Sequence, residues 1–497
     1  MTTPKFVGVE TEYGIAVDGP TEVNAVLASS LVVGAYRRSG RRDVRWDHTD
    51  EHPMRDARSP EPDDAYEPSI DDELGLANTV LTNGARFYVD HAHPEYSTPE
   101  CTNARDLVVW DKAGEWVLRN AAARAADTLP QGSRVLVHKN NTDGKGAAYG
   151  THENYLVDRQ VPFGHLTRLL LPFFVSRTLY VGAGRIGSEL DESVGFQLSQ
   201  RADFFEVEVG LETTLKRPLM NTRDEPHADP QRYRRLHVIN GDANLCEVAT
   251  YLKVGTMLLI LDMIEDGELT DVPELADPVS AFHAFSHDVT CRGRVRLADG
   301  GEASAVELQR HYLDACQRYV KQREIVDPTT LDVLQRWQQV LDLVDDDPRQ
   351  LAGIVDWATK LELLEGYRRR HDLPWTHDRM KMVDLQYHDV RLESGLYHRL
   401  VERGRVERLV GDDEVAAAVH TPPVDTRAWF RGECIRRFGE DVVAAGWDSL
   451  VLDVGGESLQ RVPMMEPGRG TRELTGALLE EVTTAAELVA RLAGDEG

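Results

Sequence analysis

Acidic side chains recur at every second position of an early segment with strand character. Residues 6–17 alternate apolar and polar side chains, which predicts a β-strand with Glu10 and Glu12 on one face. Gly8 and Gly14 flank them on that face and leave room for a bulky ligand. Two neighbouring carboxylates repel each other unless a cation or an arginine lies between them. The pattern therefore indicates either a cation site or a solvated outer face.

A second predicted strand, residues 85–90, carries complementary groups. Arg86, Tyr88 and Asp90 fall on one face, and the apolar residues between them fall on the other. Hard oxygen ligands suit Mg²⁺, and the arginine fork suits phosphate. We interpret the two strands as parts of one Mg-nucleotide site.

Two other kinds of site compete with this interpretation. His91, His93 and Glu95 offer zinc ligands, although no third histidine has a suitable spacing and HExxH is absent. Residues 182–187, GAGRIG, match the dinucleotide fingerprint GxGxxG. That fingerprint requires a following helix in a βαβ unit, whereas the next residues have poor helical periodicity, so a glycine-rich turn is favoured.

Further polar residues occupy strand-like positions later in the chain. Arg201 lies in SQRADFFEVEVG, and Arg235 and His237 share a face of RRLHVINGDANL. A single histidine on a strand is usually a packed core residue. Several such groups in one domain favour a shared cleft, and we therefore keep Arg201 and His237 as candidates.

Composition narrows the class of protein. The 497 residues carry a net charge of −28, which argues against general nucleic-acid binding. The five cysteines are widely spaced and form no CxxC, which is typical of reduced thiols. No apolar run is long enough to span a membrane, and the N-terminus has no signal-peptide pattern. We expect a soluble, cytoplasmic protein.

The order of predicted elements indicates an α+β fold. Strands are predicted at 134–138, 204–209 and 235–239, and helices at 23–35, 246–266, 329–344, 349–370 and 471–492. Residues 36–75 are charged, contain four prolines and show no period, which predicts a long functional or disordered loop. Consecutive prolines within 420–426 indicate a boundary between a domain at 1–420 and a small domain at 421–497.

Six segments together resemble one known family: GVETEYGI, RFYVD, HPEYSTPEC, GTHENYLV, RLHVINGDANL and VDLQYHDVRLESGLY. They are similar to the Pup ligases and Pup deamidases, within the carboxylate-amine ligase superfamily. The resemblance runs from residue 7 to about residue 465. It implies a large glutamine synthetase-like domain, whose curved and mainly antiparallel sheet forms a cradle for ATP and Mg²⁺ and is packed by helices. It also implies a small C-terminal domain.

The resemblance assigns expected roles to individual residues. The catalytic residue is Asp90; the metal residues are Glu10, Tyr88 and Glu95; the ATP contacts are Arg86, Thr98 and Trp447; and the weaker candidates for phosphate or the substrate carboxyl group are Arg201 and His237. Asp90 would act either as a nucleophile or as a base that activates water, and the sequence leaves both roles open.

Two activities occur in the family. The ligase joins Pup to a lysine, whereas the deamidase converts the C-terminal glutamine of Pup to glutamate and removes Pup from conjugated proteins. The long segment 36–75 and the run DHAHPEY (90–96) resemble the deamidase branch. Ser59-Pro60 departs from the usual pattern of that segment. We therefore expect an ATP- and Mg-dependent hydrolase acting on Pup and pupylated proteins, with the ligase as the alternative.

Overall fold

The structure, a computed structural model, describes residues 4–20, 22–37, 44–49, 51–59, 77–144, 146–190, 195–323 and 326–494. The strands are β1 (Val7–Glu12), β2 (Gly14–Asp18), β3 (Arg45–Trp46), β4 (Asn78–Val80), β5 (Arg86–Asp90), β6 (His93–Ser97), β7 (Arg134–His138), β8 (Thr151–Asp158), β9 (Arg185–Ile186), β10 (Phe196–Gln197), β11 (Phe205–Gly210), β12 (Arg217–Asn221), β13 (Tyr233–Val238), β14 (Arg294–Arg296), β15 (Glu302–Ser304), β16 (Val442–Ala445), β17 (Ser449–Leu452) and β18 (Gln460–Pro463).

The α-helices of the described ranges are α1 (Ala25–Arg37), α2 (Ala104–Ala126), α3 (Phe163–Ser176), α4 (Thr178–Val181), α5 (Glu247–Glu265), α6 (Pro278–His287), α7 (Ala305–Lys321), α8 (Pro328–Asp346), α9 (Asp356–His371), α10 (Asp378–Tyr387), α11 (Leu396–Glu402), α12 (Asp412–Ala418), α13 (Arg427–Phe438), α14 (Arg472–Glu481) and α15 (Ala485–Gly494).

Six of the described strands form the central sheet, in the order β13-β8-β1-β6-β5-β4. Every neighbouring pair is antiparallel. Because side chains alternate along each strand, one face of the sheet is apolar and the other is polar. The apolar face includes Val9, Phe87 and Tyr96, and α1 and α2 pack against the strands that carry them.

The contact between the sheet and α2 depends on a glycine. A Cβ atom on Gly114 would lie 2.4 Å from the Tyr96 ring, so only glycine lets the helix approach this closely. Asn103 begins α2 by accepting a hydrogen bond from the Asp106 backbone N–H, which satisfies a donor that the helix leaves free. This close packing fixes β6, which carries Glu95, against the helical layer.

A second hydrophobic core lies at the C-terminal end of the chain. It joins α13, β16–β18, α14 and α15, and we call residues 427–494 the C-terminal unit. The strand β3 pairs in parallel with β16, and Val44 and Trp46 are buried in this core. A short piece of the predicted loop therefore belongs to the sheet of the C-terminal unit. The division at residue 420 stays a prediction.

Several predicted elements differ from the observed ones. The single strand predicted over 6–17 is wrong: the chain breaks at Tyr13, and β2 pairs with β7 in a separate sheet. The predicted helix 471–492 is two helices, α14 and α15.

The segment 36–75 is not a loop throughout, since α1 reaches Arg37 and residues 44–49 are packed. Residues 38–43, 50 and 60–76 lie outside the described ones. Residues 182–187 enter the short strand β9, and in the described parts of the chain that follow, up to 190 and from 195, the next element is the strand β10 rather than a dinucleotide-type helix.

Candidate active site

The polar face of the central sheet brings most of the predicted site residues together. Glu10 lies opposite Ser97 on one side and His152 on the other. Glu12 lies opposite Glu95, which in turn lies opposite Tyr88. The period-two assignment of these side chains to one face is therefore confirmed by the strand register.

Three carboxylates form a cluster on this face. One oxygen from each of Glu12, Asp90 and Glu95 lies within 4.8 Å of the other two. Glu95 is 1% exposed, and its Oε2 atom has no hydrogen-bond partner among the described residues. Burial and the charges of Asp90, Glu12 and Glu10 raise the pKa of Glu95 well above its usual value. An unsatisfied acceptor among like charges is the environment that a divalent cation stabilises.

The pKa of Asp90, at the end of β5, is shifted in the opposite direction to that of Glu95. Burial alone would raise its pKa, but the hydrogen bond from His91 and the charges of His91, His152 and Arg86 lower it. The His91 Nδ1 atom lies 2.9 Å from Asp90 Oδ1. The Asp90 carboxylate is therefore held ionised, which both a nucleophile and a general base require.

Glu10 is held by hydrogen-bond donors rather than by other carboxylates. Its Oε1 accepts from Asn154 Nδ2 at 2.7 Å and from Arg235 at 2.9 Å. Burial would raise the pKa of Glu10, but the His152 hydrogen bond and the Arg235 and His237 charges hold it well below its usual value. Glu10 therefore borders the carboxylate cluster but has its own cationic partner.

A cleft lies between this face and the C-terminal unit. The apolar part is lined by Phe6, Val7, Leu156 and Pro467, and Trp447 lines the side formed by the C-terminal unit. Glu10 and Arg235 line its polar part, which adjoins the carboxylate cluster along β1.

Thr98 and Gly8 form part of the cleft wall. The Thr98 Oγ1 atom accepts a hydrogen bond from the Val9 backbone N–H at 3.0 Å. A Cβ atom on Gly8 would lie 3.6 Å from that oxygen, so a side chain there would occupy space in front of Thr98. The predicted Thr98 contact therefore lies at a place where a ligand has access to the sheet.

Arg86 lies between two aromatic rings. Its guanidinium carbon is 4.1 Å from the centroid of Trp46 and 3.9 Å from that of Tyr88. Trp46 in turn meets the Trp447 ring edge to face, with the centroids 5.2 Å apart. The stack links β5 to the C-terminal unit and holds Arg86 beside the polar face.

The two weaker candidates are buried. The guanidinium of Arg201 donates to the backbone oxygens of Ile239 and Gly241, and burial and the nearby Arg217 charge lower its pKa to about 10. His237 contacts Asn154 through Nδ1 at 2.8 Å, while its Nε2 has no partner among the described residues. His237 thus lies beside Glu10, whereas Arg201 does not line the described cleft. Their roles stay predictions.

The zinc alternative gains no support from the described geometry. The His/Cys/Asp/Glu cluster that the described residues bring together is Glu12, Asp90 and Glu95, and neither His91 nor His93 belongs to it. The His93 ring stacks on Tyr149, with the centroids 4.2 Å apart, and its Nδ1 atom lies 3.3 Å from Glu12 Oε2, at the border of the cluster. The donor set therefore consists of oxygen atoms, which suits Mg²⁺ better than zinc.

Sequence reasoning did not single out Arg223. Its Nε has no partner among the described residues, and the charges of Glu10 and Asp90 act on it. Burial and the Arg235 charge lower the pKa of Arg223. Nothing in the segment NTRDEPH distinguishes this arginine from a surface residue, because its position depends on how β12 and β13 meet the rest of the fold.

A protein-family comparison identifies the group to which this arrangement belongs. The family model described as "Pup-ligase protein" matches residues 5–451. The chain belongs to the Pup-ligase family. Relatives in this family include a depupylase of Acidothermus cellulolyticus, 56% identical with 99% of each chain covered. A Pup deamidase/depupylase of Mycolicibacterium smegmatis is 53% identical, covering 98% of this chain and 99% of the relative.

Ligases of the same family are also similar to the chain. A Pup–protein ligase of Kineococcus radiotolerans is 46% identical, covering 82% of this chain and 90% of the relative. Among solved structures, the Pup ligase PafA in complex with Pup has a TM-score of 0.80 at 31% identity, covering 96% of this chain and 92% of PafA. PafA in complex with ADP has a TM-score of 0.74 at 33% identity, covering 87% and 98%. The predicted α+β, glutamine synthetase-like fold class is thereby confirmed.

In the part of the chain that the structure describes, the helices are too short or too polar to cross a bilayer.

Proposed function

We propose that this chain is a Pup deamidase and depupylase that requires Mg²⁺ and ATP. It hydrolyses the C-terminal carboxamide of Pup and the isopeptide bond between Pup and a lysine. The observation that carries the proposal is the carboxylate cluster of Glu12, Asp90 and Glu95 beside the cleft, with the pKa of Asp90 lowered by the His91 hydrogen bond and by the charges of His91, His152 and Arg86. The deamidase and depupylase names of the full-length relatives support the same conclusion.

The residues present fit Mg²⁺. Glu12 and Glu95 provide closely spaced hard oxygen atoms beside the Asp90 carboxylate, which acts on the amide, and Glu95 Oε2 is a buried acceptor without a partner among the described residues. Of the predicted metal residues, Tyr88 and Glu95 lie opposite each other on paired strands. Glu10 lies beside the cluster. Its carboxylate would become a further metal ligand on exchanging its contact with Arg235 for one with the cation. We propose Glu12 as a further ligand.

The residues also fit a nucleotide. The apolar walls and Trp447 suit a base, whereas Arg235, Arg86 and Arg223 place positive charge near the carboxylate cluster, where phosphates belong. Mg²⁺ held by these residues would supply positive charge that offsets the repulsion among the carboxylates and would polarise a substrate carbonyl. A PafA structure contains ADP, which supports a nucleotide site in this fold.

Asp90 is the residue that acts on the amide. Its lowered pKa keeps it ionised at neutral pH, so it can attack the carbonyl carbon or remove a proton from water. In both cases the amide C–N bond breaks, one water molecule is consumed, and the nitrogen leaves as ammonia or as the lysine amine. With a general base the new carboxylate oxygen comes from water; with a nucleophile, Asp90 first forms an anhydride with the acyl group, and water then hydrolyses that anhydride. The neighbouring His91 lies within hydrogen-bond distance of Asp90 and orients its carboxylate.

A single-turnover reaction in ¹⁸O-labelled water separates the two roles of Asp90. A general base sends the label only into the product carboxylate, whereas hydrolysis of the anhydride at the Asp90 carbonyl places the label in Asp90, so labelled Asp90 identifies the nucleophile. Mass spectrometry of the peptide that contains Asp90 provides the readout. Absence of any turnover with Pup-glutamine would refute the proposed hydrolase itself.

The ligase is the second candidate function. The PafA structures share this fold, and the ligase relatives are 41–46% identical. The two activities separate when Pup ending in glutamate is supplied with a lysine-bearing protein and ATP. Fast net conjugation with little isopeptide cleavage would establish the ligase and refute the hydrolase. We further place the protein in the cytoplasm, because its five cysteines are buried free thiols, as in a reducing compartment.

A further inference from the structure

One carboxylate joins the two sides of the cleft. Glu100 follows β6 on the sheet side, and two arginines of α13 converge on it from the C-terminal unit. Its Oε1 accepts from Arg427 Nε at 2.7 Å and from Arg431 at 3.2 Å, and its Oε2 also accepts from Arg431. Arg427 and Arg431 are one helical turn apart, so both reach the same partner.

The two arginines are almost completely withdrawn from solvent. Arg427 is 3% exposed and Arg431 is 0% exposed. Burial would raise the pKa of Glu100, but the Arg431 and Arg427 charges lower it to about 2. Removing one partner of a buried ion pair is costly because it leaves an uncompensated charge. Here two guanidinium groups depend on a single carboxylate.

The same arginines reach the residues that shape the cleft. Arg431 donates to the Trp447 backbone oxygen at 2.9 Å, and its guanidinium carbon is 5.1 Å from the Trp447 ring centroid. Arg427 donates to the backbone oxygens of His227 and Met464 at 2.6 and 2.8 Å. His227 and Trp447 both line the cleft. A displacement of the arginines would therefore move the cleft wall directly.

Backbone contacts make this arrangement stiff. Arg431 also donates twice to the Gly84 backbone oxygen, at 2.9 and 3.1 Å. A Cβ atom on Gly432 would lie 2.4 Å from the Thr82 backbone oxygen, so α13 rests directly on the turn before β5. Arg86 and Asp90 follow from that turn. The same contact thus ties the C-terminal unit to the strand that carries the reactive carboxylate.

We infer that Glu100 is a positioning residue for nucleotide binding: through Arg427 and Arg431 it fixes the wall of the cleft that carries Trp447. The inference rests on the proposed nucleotide function. Glu100 needs no contact with the chemistry for this role. Its loss should weaken nucleotide binding through Trp447 while leaving the reaction at saturating nucleotide nearly unchanged.

The first test measures Mg-ATP binding by calorimetry for wild type and Glu100→Gln. Glutamine keeps the shape but removes the charge and points N–H donors at arginine donors. We expect about tenfold weaker binding, which corresponds to about 1.4 kcal/mol. In deamidation assays the KM for ATP should rise by a similar factor while kcat changes less than twofold.

Glu433→Gln is the matched control. Glu433 lies on the same helix and is itself buried, but its ion-pair partners Arg436 and Arg437 are exposed and all three belong to the C-terminal unit. Its loss should leave the Mg-ATP affinity unchanged. Equal weakening by Glu433→Gln and Glu100→Gln would show a general loss of stability and overturn the inference.

A double-mutant cycle tests whether Glu100 acts through Trp447. In the Trp447→Ala background, Glu100→Gln should weaken Mg-ATP binding by less than twofold, because the wall that it positions has lost its ring. A full tenfold effect in that background would contradict the inference. If Glu100→Gln does not fold, Arg431→Lys provides a second test. Lysine keeps the buried charge but loses the forked guanidinium, so this variant should show the same rise in the KM for ATP. Wild-type affinity in Arg431→Lys would refute the inference.

Failure of the inference and failure of the proposed function give different results. Wild-type protein that binds no Mg-ATP would refute the nucleotide function on which the inference depends. Wild-type protein that binds Mg-ATP, with equal affinity in Glu100→Gln, would refute only the positioning role of Glu100.

Discussion

Replacing Glu95 and Glu10 by glutamine should change the stability of the metal-free protein in opposite directions. Both carboxylates lie on the polar face of the central sheet. Glu95 is buried among like charges, whereas Glu10 accepts hydrogen bonds from Asn154 and Arg235. Glutamine has nearly the same shape as glutamate, so each substitution tests mainly the charge.

The expected magnitude follows from the distances. The oxygens of Glu12, Asp90 and Glu95 lie within 4.8 Å of one another. At this distance and an effective dielectric constant of about 20, each pair of charges repels by about 3.5 kcal/mol. Protonation of Glu95 relieves part of this repulsion, so we expect Glu95→Gln to stabilise the metal-free protein by about 1–3 kcal/mol. Glu10→Gln should destabilise it by about 1–3 kcal/mol, since Arg235 loses a charged partner.

The stability of the metal-free protein should also depend on pH in a direction that the raised pKa of Glu95 determines. The pKa of Glu95 is raised in the folded state, so between the ordinary carboxyl pKa and the raised value the folded state binds more protons than the unfolded state. The stability of the metal-free wild type should therefore fall as the pH rises through that window. Glu95→Gln should lack this part of the slope.

Thermal unfolding in EDTA and in excess Mg²⁺ provides the assay. In EDTA at neutral pH, the Tm should be higher than wild type for Glu95→Gln and lower for Glu10→Gln. A metal at about 100 times its Kd stabilises a folded protein by about 2.7 kcal/mol, and both variants should lose most of this gain. A Glu95→Gln variant that is less stable than wild type in EDTA, or that keeps the full Mg²⁺ gain, would refute the carboxylate-cluster interpretation.

The remaining predictions concern single residues. Asp90→Asn should lower deamidation by at least about 10²–10⁴-fold while keeping Mg-ATP binding by calorimetry; substantial residual turnover would contradict a chemical role. Glu100 has a pKa of about 2, so the stability that it contributes is complete above about pH 4.5 and is lost as the pH falls through 2. Glu100→Gln should therefore flatten the acid-unfolding profile followed by fluorescence. An unchanged profile would argue against the ion pairs. Trp46→Ala should cost about 3–5 kcal/mol in thermal unfolding, and a wild-type Tm would show that residues 44–49 do not contribute to the core. Gly114→Ala should cost about 1–3 kcal/mol by overpacking Tyr96, and an unchanged Tm would show that α2 yields without cost.

The local part of the site could be predicted from the sequence. Alternation along β1 and β5 placed Glu10, Arg86, Tyr88 and Asp90 on their correct faces, because side-chain direction in a strand depends only on sequence spacing. The strand predicted at 134–138 matches β7, and the long apolar helix near 246–266 matches α5.

Which residues meet across the sheet could not be predicted in this way. Glu12 joins Asp90 and Glu95 because β1 lies beside β6, and that pairing joins residues more than eighty positions apart. Strand pairing over such distances depends on the global fold rather than on local pattern. The burial of Arg201 against the backbone oxygens of Ile239 and Gly241 could not be predicted for the same reason.

The charged segment 36–75 shows a second limit. Its composition predicts no packed structure, yet Trp46 is buried because β16 offers a strand edge and an apolar surface to cover. A two-residue strand is too short to produce a periodic signal. The partner that orders it lies about four hundred residues away, beyond the reach of any local pattern.

Mass spectrometry of Pup ending in glutamine, incubated with the protein, ATP and Mg²⁺, tests the proposed activity most directly. We predict conversion of the C-terminal glutamine to glutamate with release of ammonia. A pupylated protein under the same conditions should yield free Pup and an unmodified lysine. No conversion of Pup-glutamine by folded protein, together with net conjugation of Pup-glutamate to lysine, would contradict the hydrolase and establish the ligase.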